Sequence, residues 1–422
     1  MKRKIEFQQL DTPKPMTKKT SIYSICALIL GSALTVFIAG CPAPIKRPPE
    51  ELAMVRSSSF TYPDFSDDLN LDGLEHAILK SLVYLQQVPA ERTYQFGKDR
   101  FEAAHLTKSL QYFLEFIRTN PSNRELKKFI RTRYIIYQSV GRDLKGEVLF
   151  TGYYEPHLRG RLQPDEEFRY PIYALPTDLM KIDLSAFDEK YEGQSIIGRY
   201  TGQTVVPYHD RQEIEEEYAL VGKAEPLAWV KDPVDVFFLQ IQGSGKVFLD
   251  TAEVINVHYH GTNGRPYRSI GKLLIETQKI SREEMSMQKI RSYLQAHPEE
   301  MAPVFNHNPS YVFFKLESEG PLGYLNVLLT PGRSVALDKR LFPPAALAYI
   351  QTKKPVVDSD SQIDSWTDCS RFVLNQDTGG AIQGPGRADL FWGNGPYAEI
   401  AAGHLAHTGK LYFLILKPDR PN

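Results

Sequence analysis

Three aspartates near the end of the chain stand in settings where a carboxyl group could move protons: Ala336-Leu337-Asp338-Lys339, Asn375-Gln376-Asp377-Thr378-Gly379-Gly380 and Gly386-Arg387-Ala388-Asp389-Leu390-Phe391. Asp377 precedes paired glycines, and Asp389 lies between the turn Gly384-Pro385-Gly386 and the apolar pair Leu390-Phe391, which places both at the edge of a sheet. A carboxylate flanked by apolar and aromatic side chains can keep its proton and act as a general acid. Aspartates that cap turns use the same local sequence, so both readings stand at this level.

Other chemistries lack parts. Asp377-Thr378-Gly379 is the triplet of an aspartic protease, but no second Asp-Thr/Ser-Gly exists to share its proton. Gly393-Asn394-Gly395-Pro396-Tyr397-Ala398 matches a dinucleotide fingerprint on its glycines, yet it lies too near the C terminus for a βαβ unit to follow. His258 and His260 have no evident third ligand for zinc, and Gly243-Ser244-Gly245 reads as a hairpin turn rather than a nucleophile elbow. Cys26, Cys41 and Cys369 can build neither a disulfide framework nor a cysteine zinc cluster. Neither a metal nor a cofactor is expected. With 50 Lys+Arg against 51 Asp+Glu there is no basic excess for a phosphate backbone, which argues against nucleic acid as a partner.

The elements that must position these residues follow from periodicity. Apolar residues on one helical face predict helices through Leu74, Ile78, Leu82 and Leu85, through Leu106, Leu110, Phe113 and Ile117, and through Leu126, Ile130, Tyr134 and Tyr137. Ser122 and Glu125 form a capping box for the third. From about Val148 to His260, short apolar or alternating runs broken by Gly, Pro and Asp predict strands; Val234–Gln242, the turn 243–245 and Lys246–Leu249 read as a hairpin. Helical spacing returns from Ile270 to Tyr293, with Ser281 and Glu284 as a capping box. Strands and Gly-rich turns run from Tyr311 to Lys417 and end in the apolar strand Leu411–Leu416. The length suggests two domains.

Residues 21–40 form an uncharged apolar run preceded by Lys18 and Lys19, the layout of a secretory signal. It ends in Ile38-Ala39-Gly40-Cys41, which resembles a bacterial lipobox, with Met16 as an alternative start. That resemblance implies a signal peptide over 1–40 and a lipid anchor on Cys41; a retained membrane helix is the competing reading. Residues 41–70, rich in Pro42, Pro44, Pro48, Pro49 and Pro63, read as a tether.

The run from Gln376 to Gly403 resembles the three-aspartate double-psi β-barrel module. Phe150-Thr151-Gly152-Tyr153-Tyr154-Glu155-Pro156, Phe238–Gly245 and Leu329-Thr330-Pro331-Gly332-Arg333-Ser334 are similar to segments of the membrane-bound lytic murein transglycosylase A family. One departure is Pro343-Pro344-Ala345, where many barrel modules have a Pro-x-Gly turn. The resemblance implies a mainly β, α+β fold: N-terminal helices plus a barrel from 71–150 and 300–422, with a smaller β-rich domain inserted at 151–299. It implies cleavage of peptidoglycan between N-acetylmuramic acid and N-acetylglucosamine with formation of 1,6-anhydro ends, Asp389 being the acid and Asp377 and Asp338 its companions. Thr151, Tyr153, Tyr154, Gln240 and Gln242 become candidates for the sugar, the two glutamines sharing one side of a strand; Arg333 becomes a candidate for substrate carboxylates. Glu155 and Glu399 are acidic alternatives. The expected partners are peptidoglycan glycan strands, the membrane through Cys41 and cell-wall machinery proteins. The expected state is a monomer in the cell envelope, on the outer membrane and facing the periplasm. A non-catalytic wall-binding barrel and a true hydrolase of the same bond are the alternatives.

Overall fold

The computed structural model describes residues 52–418 apart from residue 143. The apolar run 21–40 and Cys41 lie outside the described residues.

Six strands, Val148–Tyr153, Ser334–Ala336, Leu347–Val357, Ile363–Asp377, Arg387–Phe391 and His407–Leu416, close into a barrel. Closure comes from His407–Leu416, which pairs with Leu347–Val357 along one edge and with Val148–Tyr153 along the other. Beyond it lie Tyr134–Ser139 and then Met54–Arg56. Residues 411–416 are all buried, because one face lines the barrel and the other is covered. A strand buried on both faces reads as a continuous apolar run. The helices Leu74–Leu85, Ala103–Ile117 and Asn123–Arg133 share this core; Phe113 packs on Phe372 with ring centroids 5.4 Å apart.

A second sheet of six strands is spliced into the chain between the first two barrel strands. Its order is Val312–Glu317, Val254–Thr262, Ser244–Leu249, His157–Arg161, Pro226–Val230 and Tyr170–Tyr173. A parallel bridge between Ala174 and Phe314 brings its two edges together. Leu158, Ile172, Val230, Leu239, Val247 and Phe314 form its core. Beside it, Pro233–Gln242, Ile270–Glu276, Met287–Ala296 and Pro298–Asn306 pack around Phe237 and Phe305, stacked at 4.5 Å.

Local expectations fail where burial on all sides hides the period. Val234–Gln242 is not a strand but a helix: Asp232 accepts from the Val234 N–H at 2.8 Å, Pro233 occupies the first turn, and Gly243 ends it at φ +84°. Its β-branched and aromatic residues are packed nearly all round, so neither a 2- nor a 3.6-residue period stands out. The third N-terminal helix stops at Arg133, and Tyr134 and Tyr137 belong to the strand that follows, where pairing with Leu416 and Phe413 outweighs helical spacing. The Ile270–Tyr293 segment is two helices capped by Ser269 and Ser286; Ser281 and Glu284 hydrogen-bond in the connection instead. The presumed tether is packed in part: Met54–Arg56 pairs with the open edge strand Tyr134–Ser139, and Phe65 is fully buried, while residues 58–61 stay exposed.

Candidate active site

Strand register brings the aspartates together. Asp389 stands opposite Thr151 in one neighbouring strand and opposite Ala336 in the other, and Ala336 in turn stands opposite Asp377. Two strand spacings, about 10 Å of backbone, therefore separate Asp377 from Asp389. Both residues retain some exposure at the end of the barrel.

The Thr151 hydroxyl donates to Asp389 Oδ1 at 2.7 Å, and among the described residues none donates to Oδ2. Burial pushes the Asp389 carboxyl up to about 6, against the opposing pull of the Thr151 hydrogen bond and the Arg387 charge. Arg387 reaches Thr151 Oγ1 at 3.3 Å, so the threonine links guanidinium to carboxyl. Asp377 is also pushed up to about 6 by burial, with a smaller contribution from the charge of Asp389. Its oxygens are engaged: Oδ1 accepts from the Thr378 and Tyr324 backbone N–H groups at 2.8 and 3.1 Å, Oδ2 from the Tyr153 hydroxyl at 2.8 Å. Burial and Asp377 hold the Tyr153 phenol well above its usual range, so it remains a donor.

Gly152, between Thr151 and Tyr153, is required by close packing. A Cβ there would fall 2.5 Å from Trp392 Nε1 and 2.9 Å from Ala402 Cα.

Asp338 is differently placed. It accepts from Arg340 N and Nε at 3.2 and 2.8 Å, from Arg340 Nη2 at 2.8 Å and from the Gly384 N–H at 2.8 Å. With both oxygens occupied and 1% of its surface exposed, it ties two loops together.

The remaining candidates separate. Tyr154, just past the end of the strand that carries Tyr153, lines a cavity of about 380 Å³ with Glu155, Asp235, Phe238, Arg291 and Glu399. Gln242 Oε1 accepts from the Tyr154 N–H at 2.9 Å, whereas Gln240 Oε1 accepts from Arg211 inside the inserted domain. The glutamines do not share a side, because two residues on a helix differ by about 200° where a strand would align them. Arg333 is fully buried and forms a two-pronged ion pair with Asp67, at 2.6 and 2.9 Å, so it is not available to substrate carboxylates. Glu155 is 1% exposed and accepts from Asn394 at 3.0 Å. The Tyr324 N–H, Arg387 and Asp67 escaped the sequence reading. Arg387, in the strand two residues from Asp389, carried a signal; the other two carried none. Among the described residues no group of three or more His, Cys, Asp or Glu could hold a metal ion.

The arrangement offers a partly exposed carboxyl with a raised proton affinity and one oxygen held by Thr151. A family model described as "MltA specific insert domain" matches residues 149–315, and one described as "3D domain" matches residues 333–415. A solved membrane-bound lytic murein transglycosylase from Agrobacterium tumefaciens superposes with a TM-score of 0.70 at 28% identity, covering 86% of this chain and 98% of that one. The Escherichia coli MltA structure with bound chitohexaose gives 0.63 at 26% identity, covering 89% and 100%. The Escherichia coli (strain K12) membrane-bound lytic murein transglycosylase A is 31% identical over 311 residues, 73% of this chain and 76% of the relative. With that identity over that length, the chain belongs to the membrane-bound lytic murein transglycosylase A family.

Proposed function

We propose that Asp389 is the acid, and then the base, of a lytic transglycosylase that cuts the β-1,4 bond between N-acetylmuramic acid and N-acetylglucosamine in peptidoglycan. The observation that carries this is a carboxyl raised to about 6 with one oxygen held by Thr151 and the other without a donor among the described residues. Protonated Asp389 donates to the glycosidic oxygen, and the bond opens through an oxocarbenium-like state. The carboxylate left behind takes the proton of the muramic acid O6 hydroxyl, which attacks its own C1. The product is a 1,6-anhydro end, and no water is consumed. One carboxylate suffices because the nucleophile is already tethered to the reacting carbon.

A second reading is inverting hydrolysis, favoured by Asp377 as a second carboxyl raised by burial two strands from Asp389. Against it, three donors already occupy the oxygens of Asp377, which leaves it poorly suited to activate water. Asp377 and Tyr153 serve better as an electrostatic wall, and Asp338 as a loop tie.

Peptidoglycan glycan strands would lie between the barrel and the inserted domain, past Thr151, Tyr153 and Tyr154. Cys41 would carry the acyl anchor, holding the chain to the outer membrane. Mass spectrometry of murein digested by the wild-type protein and by Asp389→Asn decides the chemistry. Anhydro ends, one water lighter than reducing ends, are expected from the wild type, with at least about a 10²-fold loss in the variant. Reducing ends would establish hydrolysis, and release of nothing by the folded wild type would leave a binding protein.

A further inference from the structure

We propose that one face of the helix Asn123–Arg133 is a docking surface for the anionic headgroups of the membrane, and that it orients the barrel with its carboxyl pair pointing away from the bilayer. The proposal rests on the reading of residues 21–41 as a membrane-directing segment.

Arg124, Lys127, Lys128, Arg131 and Thr132 line an open concavity of about 640 Å³ on this helix. Their spacing of three and four residues puts four cations on one face, while Leu126 and Ile130 bury the opposite face. Nearby acids offset only part of this charge: Asp64 pairs with Lys127, and Glu125 is committed to the Ser122 capping box. Lys417 adds a cation at the C-terminal end, donating to the carbonyls of Arg131 and Thr132.

Two further observations choose a membrane as the occupant. The first described residues of the chain run beside this face: Arg131 reaches the Ser59 carbonyl at 3.4 Å and lies over the Tyr62 ring at 5.8 Å. At most about 40 Å of extended chain separates Cys41 from Leu52, so an anchored Cys41 keeps this region close to the bilayer. Phe60, in the same stretch, is 97% exposed, as expected of a side chain that enters an apolar interface.

The other observation is polarity along the barrel. The basic helix sits at the Leu416 end of the strand His407–Leu416, where Lys417 N donates to the Arg133 carbonyl. The Asp389 site sits at the other end, where His407 stands opposite Phe150, the neighbour of Thr151. Ten residues of strand separate the two ends, roughly 30 Å. A barrel seated on its basic end thus presents the carboxyl pair to a polymer lying beyond the membrane surface.

The test uses the full-length chain reconstituted into vesicles of phosphatidylcholine, with and without about 30 mol% phosphatidylglycerol. Amine labelling read by mass spectrometry should show Lys127 and Lys128 protected only in the anionic vesicles, with the protection lost in about 0.5 M salt. Arg124→Glu with Lys128→Glu, both exposed and clear of the site, should lower the affinity for anionic vesicles by at least about tenfold and leave turnover on soluble glycan unchanged. Equal labelling in both vesicle types overturns the proposal. So does a double variant that binds vesicles normally but loses binding to murein, which would assign the face to stem-peptide carboxylates. The acyl mass on the Cys41 peptide, read from the same sample, decides the anchor separately.

Discussion

Replacing Thr151 with Val removes the hydroxyl that donates to Asp389 while keeping the size of the side chain. A hydrogen bond to an ionised partner is worth about 1.5 to 3 kcal/mol, and it favours the carboxylate over the acid. At 1.36 kcal/mol per unit, its loss raises the proton affinity of Asp389 by about one to two units. Arg387, released from Thr151 Oγ1, can approach the carboxylate and offset part of the rise, which leaves about one unit. The sign is fixed: the acid form is required for the first step, so the alkaline limb of kcat/KM should move from about 6 to about 7. At pH 7 the protonated fraction would grow from about one tenth to about one half. The assay is the initial rate of anhydro-muropeptide release between pH 4 and 9, each rate divided by its own acid plateau. That ratio is insensitive to a uniform loss from poorer positioning. Thr151→Ser, which restores the hydroxyl, should return the limb to about 6. A Val variant whose limb stays there or moves down would refute the assignment of Asp389 as the acid.

Three other outcomes follow from the same contacts. Because burial raises the Asp389 carboxyl, the folded state holds a proton that the unfolded chain has lost, and stability falls as pH rises from about 4 through about 6. Asp389→Asn should therefore be more stable than wild type at pH 8, by about 1 to 3 kcal/mol in urea titration, with little difference at pH 4; a lower stability at pH 8 counts against it. Asp338→Asn removes acceptor capacity from Arg340 and Gly384, so urea titration should show a loss of about 1 to 3 kcal/mol with turnover kept within a few-fold. A folded but inactive Asp338→Asn would move the chemistry to that residue. Arg333→Ala leaves Asp67 buried and unpaired and should cost about 3 to 5 kcal/mol, recovered in part by adding Asp67→Asn; a neutral single variant would show the pair to be dispensable.

Much of the architecture could be read from local pattern. Helices over Leu74–Leu85 and Ala103–Ile117 and the closing strand through Leu411–Leu416 each bury one face or two in a regular period, and periodicity records that directly. The settings of Asp377 and Asp389, beside glycines and apolar neighbours, marked them as unusual carboxylates. Their distinct surroundings were invisible: Thr151 reaches Asp389, and Tyr153 and the Tyr324 N–H reach Asp377, from strands and loops remote in the chain. Of the donors to the two aspartates, only the Thr378 N–H comes from a neighbouring residue.

The same division explains the misplaced side chains. Arg333 sits in a segment similar to the family and looked like a ligand for carboxylates, but its partner is Asp67, 266 residues earlier, in a stretch that reads as a tether. Gln240 and Gln242 took their expected geometry from a strand that folding turned into a helix once apolar surface surrounded it. Sequence by itself determined which residues carry protons and which runs are apolar enough to be buried, since both are properties of residue types and their near neighbours. Only the tertiary structure decided which carboxyl lost its water and which guanidinium was already paired, because desolvation and pairing depend on groups that meet only when the barrel closes.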